Sequence, residues 1–401
     1  MDKLRSIIPK DKNKRRTLFL TGGLCLVVLI FAVIGSVWLK YFIISHNIDA
    51  KQPIYDENRI YYSALSAKEQ ALYDEIHESA AAVERSTALL PYIYGEDEFN
   101  AVMNAVKAEN PEFFFIRYEN CKLTETGSKS LVNIAYCTLP DEIAAMRAAL
   151  DERVSAVLSE LDLEIGLSAG EFDREVWLHD YILKNTDGVT SDITQADIPL
   201  YATAYGALIL GHADSNGYSS AFSLLLGNCG IYSSLVYGSA DSGGVMEHHV
   251  WNLVRVDGSY YHTDITWDDA NIDYAPDIMF HGYFNLSYAM ISRDHVADDA
   301  APLPPCDTEN TFYNVNGLYI KDKTSLTQTA DLCISAAAES GRSYFELYPS
   351  YTRDNTELYN DIIARVKAFN EVNGGILRNE IRIYNASASS NAVTVEIFRK
   401  D

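Results

Sequence analysis

The longest apolar run in the chain is Thr17–Leu39, 23 residues without a charge and rich in Leu, Val, Ile and Phe. As a helix rising about 1.5 Å per residue, it spans the roughly 30 Å hydrocarbon core of a bilayer. It closes on Val37-Trp38-Leu39-Lys40-Tyr41-Phe42, an aromatic and basic border rather than the small residues of a cleavage site. Residues 17–44 are therefore predicted to be a transmembrane signal anchor, with a cleaved leader as the competing reading. Lys12, Lys14, Arg15 and Arg16 stand just before it. The positive-inside rule then makes residues 1–16 a cytoplasmic basic tail. It places everything beyond a polar stalk at 45–58 outside the cytoplasm.

Past the stalk, the apolar pattern alternates between helical and strand periods. Residues 59–108 read as helical, with Ser66 a capping residue three positions before Glu69 and apolar positions at Leu72, Ile76 and Ala80. Asn110-Pro111-Glu112 breaks this, and Leu131–Tyr136 reads as a returning strand. Pro140-Asp141 opens a helix to about Leu163, and Glu171–Lys184 is a further amphipathic helix. Tyr218, Ala221, Phe222, Leu225 and Leu226 follow the i, i+3, i+4, i+7, i+8 series of a buried helix, closed by Asn228-Cys229-Gly230. Ile231–Tyr237 reads as a strand and 238–244 as a Gly/Ser-rich loop. His248–Val256, Asp257-Gly258 and Ser259–Trp267 then form a hairpin signature. The tail offers Tyr313–Ile320, Tyr344–Leu347, Thr356–Phe369, Ile381–Tyr384 and Val393–Phe398, which would complete or flank the sheet. The expected divisions are 59–165 (helical and hairpin), 166–305 (core) and 306–401 (α/β extension).

The hairpin register brings the first chemistry. A two-residue turn sets Val256 opposite Ser259 and Trp251 opposite Asp264, which leaves His249 one diagonal from Asp264 on the same face. Diagonal neighbours about 7–8 Å apart at the backbone are within reach of a His–carboxylate hydrogen bond. A satisfied polar pair is the plain reading of such a couple. Ser215 lies upstream, at the start of the buried helix, where free N–H groups favour developing negative charge. Its plain reading is a helix N-cap.

Ala204-Tyr205-Gly206-Ala207-Leu208, Ser215-Asn216-Gly217-Tyr218, His249-Val250-Trp251-Asn252 and Tyr261-His262-Thr263-Asp264-Ile265-Thr266-Trp267-Asp268-Asp269 together resemble the transglutaminase-like branch of the papain-type superfamily. The resemblance covers most of residues 58–295 and includes the leader seen in bacterial members. It implies an α+β fold, a papain-like transglutaminase core with a helix packed on an antiparallel sheet, behind the transmembrane helix. It also implies a Cys-His-Asp triad, with His249 as base, Asp264 as orienting acid and Ser215 at the nucleophile position. A cysteine there forms a thiolate readily, whereas a serine must lose its proton during attack. The expected protein is therefore catalytically impaired or inactive, a module binding a peptide, protein or cell-wall-like ligand in its cleft. The alternative is an extracytoplasmic hydrolase or acyl-transferase using Ser215, His249 and Asp264.

Charge and cysteine content narrow this further. The total is −24 while residues 1–16 carry seven basic and two acidic groups, so the rest holds about −29. Such a body excludes nucleic acid as a partner. Cys121, Cys137, Cys229, Cys306 and Cys333 follow the anchor, an odd number in no zinc-ligand spacing. They read as small unpaired thiols, though Cys121 and Cys137 flank a hairpin and could pair. Cys229 is no substitute nucleophile, since it stands at the negative end of the helix. His248, His249 and His262 make a poor metal set because the first two face opposite ways. No cofactor and no metal are expected.

Overall fold

The computed structural model describes residues 59–189, 198–269, 278–298, 301–308, 311–351, 354–385 and 391–400, all within one compact unit. The basic tail, the anchor at 17–44 and the stalk lie outside the described residues. Among those described, no helix is long and apolar enough to cross a membrane.

The capping signal at Ser66 is met. Helix α1 (Ala67–Ala81) starts with a reciprocal box in which Ser66 accepts the Glu69 N–H and the Glu69 carboxylate accepts the Ser66 N–H at 2.7 Å. Helix α2 (Glu96–Glu109) stops at Asn110-Pro111, where the chain turns. Strands β1 (Lys122–Thr126) and β2 (Lys129–Asn133) pair antiparallel. Cys121 and Cys137 beside them are unpaired, as are the other described cysteines. Helix α3 (Pro140–Ile165) begins on its proline, whose missing N–H costs nothing in a first turn. Helix α4 (Glu171–Asn185) buries Glu175, Leu178, His179 and Ile182 along one face.

The core is helix α5 (Ser215–Asn228) laid on a four-stranded antiparallel sheet: β3 (Tyr232–Asp241), β4 (Met246–Val256), β5 (Ser259–Thr263) and β6 (His295–Ala297), in the order β5-β4-β3-β6. Val256 pairs with Ser259 and Asn252 with Thr263, the register the sequence predicts. Asp257 (φ 49°) and Gly258 (φ 82°) are both left-handed, as the tight turn between right-twisted strands requires.

One expectation fails at Gly238. The 238–244 stretch is not a loop; β3 runs on to Asp241, and the turn falls after it. A Cβ on Gly238 would lie 2.2 Å from the Val296 carbonyl oxygen and 2.9 Å from the Trp251 ring. The glycine thus admits β6 and Trp251 to the strand rather than bending it.

Hydrogen bonds fix how α5 sits. Ser219 Oγ donates to the Val250 carbonyl at 3.1 Å, and Asn252 Nδ2 donates to the Ser219 carbonyl at 2.9 Å. One turn later, Ser223 Oγ donates to Ser233 O at 3.0 Å, and Ser233 is paired with Val254. The helix therefore runs in the same sense as β4, with its N-terminus at the Met246–His249 end.

The tail forms a sheet of its own rather than completing the core sheet. Its elements are β7 (Tyr319–Ile320), α6 (Lys323–Ser340), β8 (Tyr344–Pro349), α7 (Asn355–Val372), β9 (Leu377–Asn385) and β10 (Val393–Arg399), with strand order β9-β10-β8-β7. Both helices bury against it through Leu326, Ile334, Leu358, Ile362 and Val366. The Ser/Thr/Ala-rich α6 carries little helical signal, yet Asp322 caps it through the Ser325 N–H at 2.8 Å.

Candidate active site

Asp264 ends the strand it belongs to. One residue past β5, it caps a short turn at Ile265–Asp268, its Oδ1 accepting the Thr266 N–H at 3.0 Å and the Trp267 N–H at 3.3 Å. That fixes the carboxylate and aims Oδ2 at His249, whose Nε2 lies 2.7 Å away. Asp264 is fully buried, and His249 is 8% exposed, between the rings of Trp251 and Trp267. Among the described residues, His249 Nδ1 has no hydrogen-bond partner.

A third member was not anticipated. His295, on β6, brings its Nε2 to the same Asp264 oxygen at 3.0 Å and its Nδ1 to Asp294 Oδ1 at 2.7 Å. Tyr283 donates its hydroxyl to the other Asp294 oxygen at 2.6 Å. Burial disfavours the His295 imidazolium, but its bonds to Asp264 and Asp294 outweigh this and raise its pKa to about 9. Burial likewise works against ionised Asp264, yet His249 and then His295 hold it well below the usual carboxylate range. Asp264 is thus a buried anion shared by two imidazoles. The only sequence signal for His295 was the dipeptide Asp294-His295, 31 residues from Asp264 in the chain.

Ser215 is the first residue of α5 and is half-buried. It is not the cap. Asp214 takes that role, its Oδ1 accepting the Gly217 N–H at 3.0 Å. The N-cap reading of Ser215 is thereby corrected: either residue would suit the position, and the carboxylate occupies it. Gly217 is held by packing, since a Cβ there would come within 2.1 Å of the Tyr201 carbonyl oxygen. The direction of α5 places Ser215 at the His249 end of β4. Its hydroxyl makes no hydrogen bond with His249 or any other described residue.

The neighbouring histidines separate as the strand period requires. His248 is exposed on the opposite face of β4. His262 is buried and accepts the Trp251 indole N–H at 3.0 Å through Nδ1, and burial pushes its pKa down to about 4. His248, His249 and His262 therefore do not converge on a point. A cavity of about 400 Å³ is lined by Tyr61, Glu69, Lys107, Tyr237, Pro302 and, from the face of β4 away from His249, by His248. Lys107 and Tyr237 also line a second cavity of about 250 Å³ with Phe113, Phe114 and Tyr118.

No protein-family model matches the chain. No curated protein matches it either. Among solved structures, it is similar to a transglutaminase at 12% identity, covering 38% of this chain and 44% of that one, with a TM-score of 0.27. A candidate cysteine protease from Cytophaga hutchinsonii aligns at 10% identity over 37% of this chain and 61% of that one, TM-score 0.23. A candidate protease from Parabacteroides distasonis aligns at 11% identity over 37% and 35%, TM-score 0.21. The chain spans less than two thirds of each of these proteins. At such TM-scores the likenesses stand beside the geometry and carry no argument of their own. The α+β arrangement, a helix on an antiparallel sheet with a His–Asp pair at one end, is the one the sequence resemblance implies.

Proposed function

We propose that this chain is a membrane-anchored, extracytoplasmic transglutaminase-like protein that keeps the His249–Asp264 frame without acyl-transfer chemistry. In this reading, a cleft of the domain receives a peptide, protein or cell-wall-like ligand. The observation that carries it is the unengaged Ser215 hydroxyl, which makes no hydrogen bond to His249. A serine nucleophile must pass its proton to a base in the attacking step, and in the free chain that contact is not formed. The two cavities are lined by aromatic groups together with Lys107, Arg117, Glu69 and Glu119, a mixed surface suited to peptide-like ligands. The anchoring part of the proposal rests on the apolar run at 17–44 and its basic flank.

One observation favours a second reading, an extracytoplasmic hydrolase or acyl-transferase using Ser215, His249 and Asp264. Because Asp214 caps the helix, the Ser215 side chain is not consumed structurally, and His249 Nδ1 is open to receive a proton. A fluorophosphonate probe applied to the full chain in detergent separates the two. The first reading expects no labelling above that of Ser215→Ala. Labelling of wild type at position 215, absent in Ser215→Ala, would establish the second.

A further inference from the structure

A second buried histidine–carboxylate cluster lies on other elements. His179 and Asp180 are adjacent on α4, and His281 comes from the segment ahead of Tyr283. Asp180 Oδ1 is 3.2 Å from His179 Nδ1 and 2.9 Å from His281 Nε2. The three potential ligand atoms all lie within 4.8 Å of one another. Tetrahedral zinc, with bonds of about 2.0–2.2 Å to nitrogen and oxygen, sets its ligand atoms roughly 3.4 Å apart. The two distances to Asp180 Oδ1, 3.2 and 2.9 Å, lie close to that spacing.

What distinguishes this cluster is the support behind each imidazole. His179 Nε2 faces the buried Asp268 Oδ2 at 3.3 Å, and His281 Nδ1 faces the buried Glu346 Oε2 at 2.6 Å. Glu346 is held in turn by the His281 backbone N–H at 2.9 Å and the Tyr313 hydroxyl at 3.2 Å. His281 also stacks flat on Phe312, ring centres 3.8 Å apart. Each histidine therefore presents one nitrogen inward while the other is fixed by a carboxylate, the arrangement that orients metal-binding histidines. Three carboxylates around two imidazoles favour positive charge in the cluster, and a dication would take the place of the protons the two rings otherwise hold. The side chains of His179 and His281 are 0% and 6% exposed, whereas that of Asp180 is 21% exposed, giving an ion a way in.

The set His249, Asp264 and His295 has the same composition but a different standing. Asp264 and His295 are sealed from solvent, both Asp264 oxygens are committed, and His249 Nδ1 has no supporting carboxylate. We infer that His179, Asp180 and His281 form a site for one divalent transition ion of the zinc type, with Asp268 and Glu346 orienting the two imidazoles. Two histidines and one carboxylate leave an open position on the ion, filled by water.

The test uses the full chain in detergent, stripped with chelator and titrated with zinc or cobalt(II) salts. One ion should bind per chain, raising the thermal midpoint, and cobalt should show the visible absorption of a four-coordinate site. Asp180→Asn should weaken binding at least 100-fold and abolish the thermal shift. Glu346→Gln, which leaves all three ligands in place, should weaken it about 10-fold. His249→Gln should change it less than twofold. Absence of stoichiometric binding in wild type would overturn the assignment. So would equal binding by Asp180→Asn with its far-UV spectrum unchanged, or loss of binding in His249→Gln, which would move the ion to the other cluster.

Discussion

His249 and His295 meet on a single oxygen of Asp264, at 2.7 and 3.0 Å, from the two strands that flank β3. Asp264 therefore ties β4 and β6 to the end of β5 as well as orienting the candidate base. Removing its charge strands two imidazoles at once. Asp264→Asn should cost about 3–5 kcal/mol, the range for breaking a buried ion pair, while His249→Gln should cost about 1 kcal/mol, that of one hydrogen bond. Urea unfolding of the variants checks both values.

The His295 pair also makes stability depend on pH. Its folded pKa of about 9 lies above the unfolded value near 6.5, so the native state holds the proton more tightly. The contribution is complete below pH about 6.5 and is lost as pH rises through about 9, a span worth roughly 3 kcal/mol. The groups facing His295 are Asp264, Asp294, His249 and His262. Unfolding free energies at pH 6.5 and 9.5 should fall in wild type, with a clearly smaller fall in His295→Gln.

Glu175 acts in a lower range. It is fully buried on α4; Asn285 donates to one oxygen at 2.7 Å, and the other has no partner among the described residues. Burial pushes its pKa up to about 8, only partly offset by the Asn285 bond. An acid whose pKa is raised on folding takes up protons, so it costs stability as pH climbs from about 4.5 to about 8. Glu175→Gln should flatten the pH dependence across that interval, measured by thermal unfolding at half-unit steps.

Capping separates two adjacent residues. Asp214 holds the Gly217 N–H, so Asp214→Ala should cost about 1 kcal/mol. Ser215→Ala, which removes no hydrogen bond, should change stability by less than about 0.5 kcal/mol. The reverse order in a denaturant series would return the cap to Ser215.

Much of this arrangement was legible in the sequence, and for a physical reason. Asp257-Gly258 admits only a tight turn with two left-handed residues, and once that turn is set, period-two alternation fixes which side chains share a face. His249 and Asp264 followed from the turn alone. The cap at Asp214 did not, because Asp and Ser side chains satisfy a helix N-terminus equally well and only packing chooses between them. Gly238 misled, since a glycine needed for close approach looks the same in sequence as one needed for a bend. His295, His179, Asp180 and His281 were missed because their partners come from distant segments. His179 is one of four buried positions on α4, and nothing in the local pattern singles it out.

In the proposed reading the His249–Asp264 pair is retained at the end of β4 where α5 begins, and a serine at position 215 withholds the chemistry. The direct measurement is the pH dependence of iodoacetamide alkylation at residue 215 in Ser215→Cys, read by mass spectrometry with and without His249→Ala. The account predicts a thiol pKa below about 7, well under the free value near 8.5, returning toward that value when His249 is removed. An ordinary pKa near 8.5 that ignores His249 would contradict it.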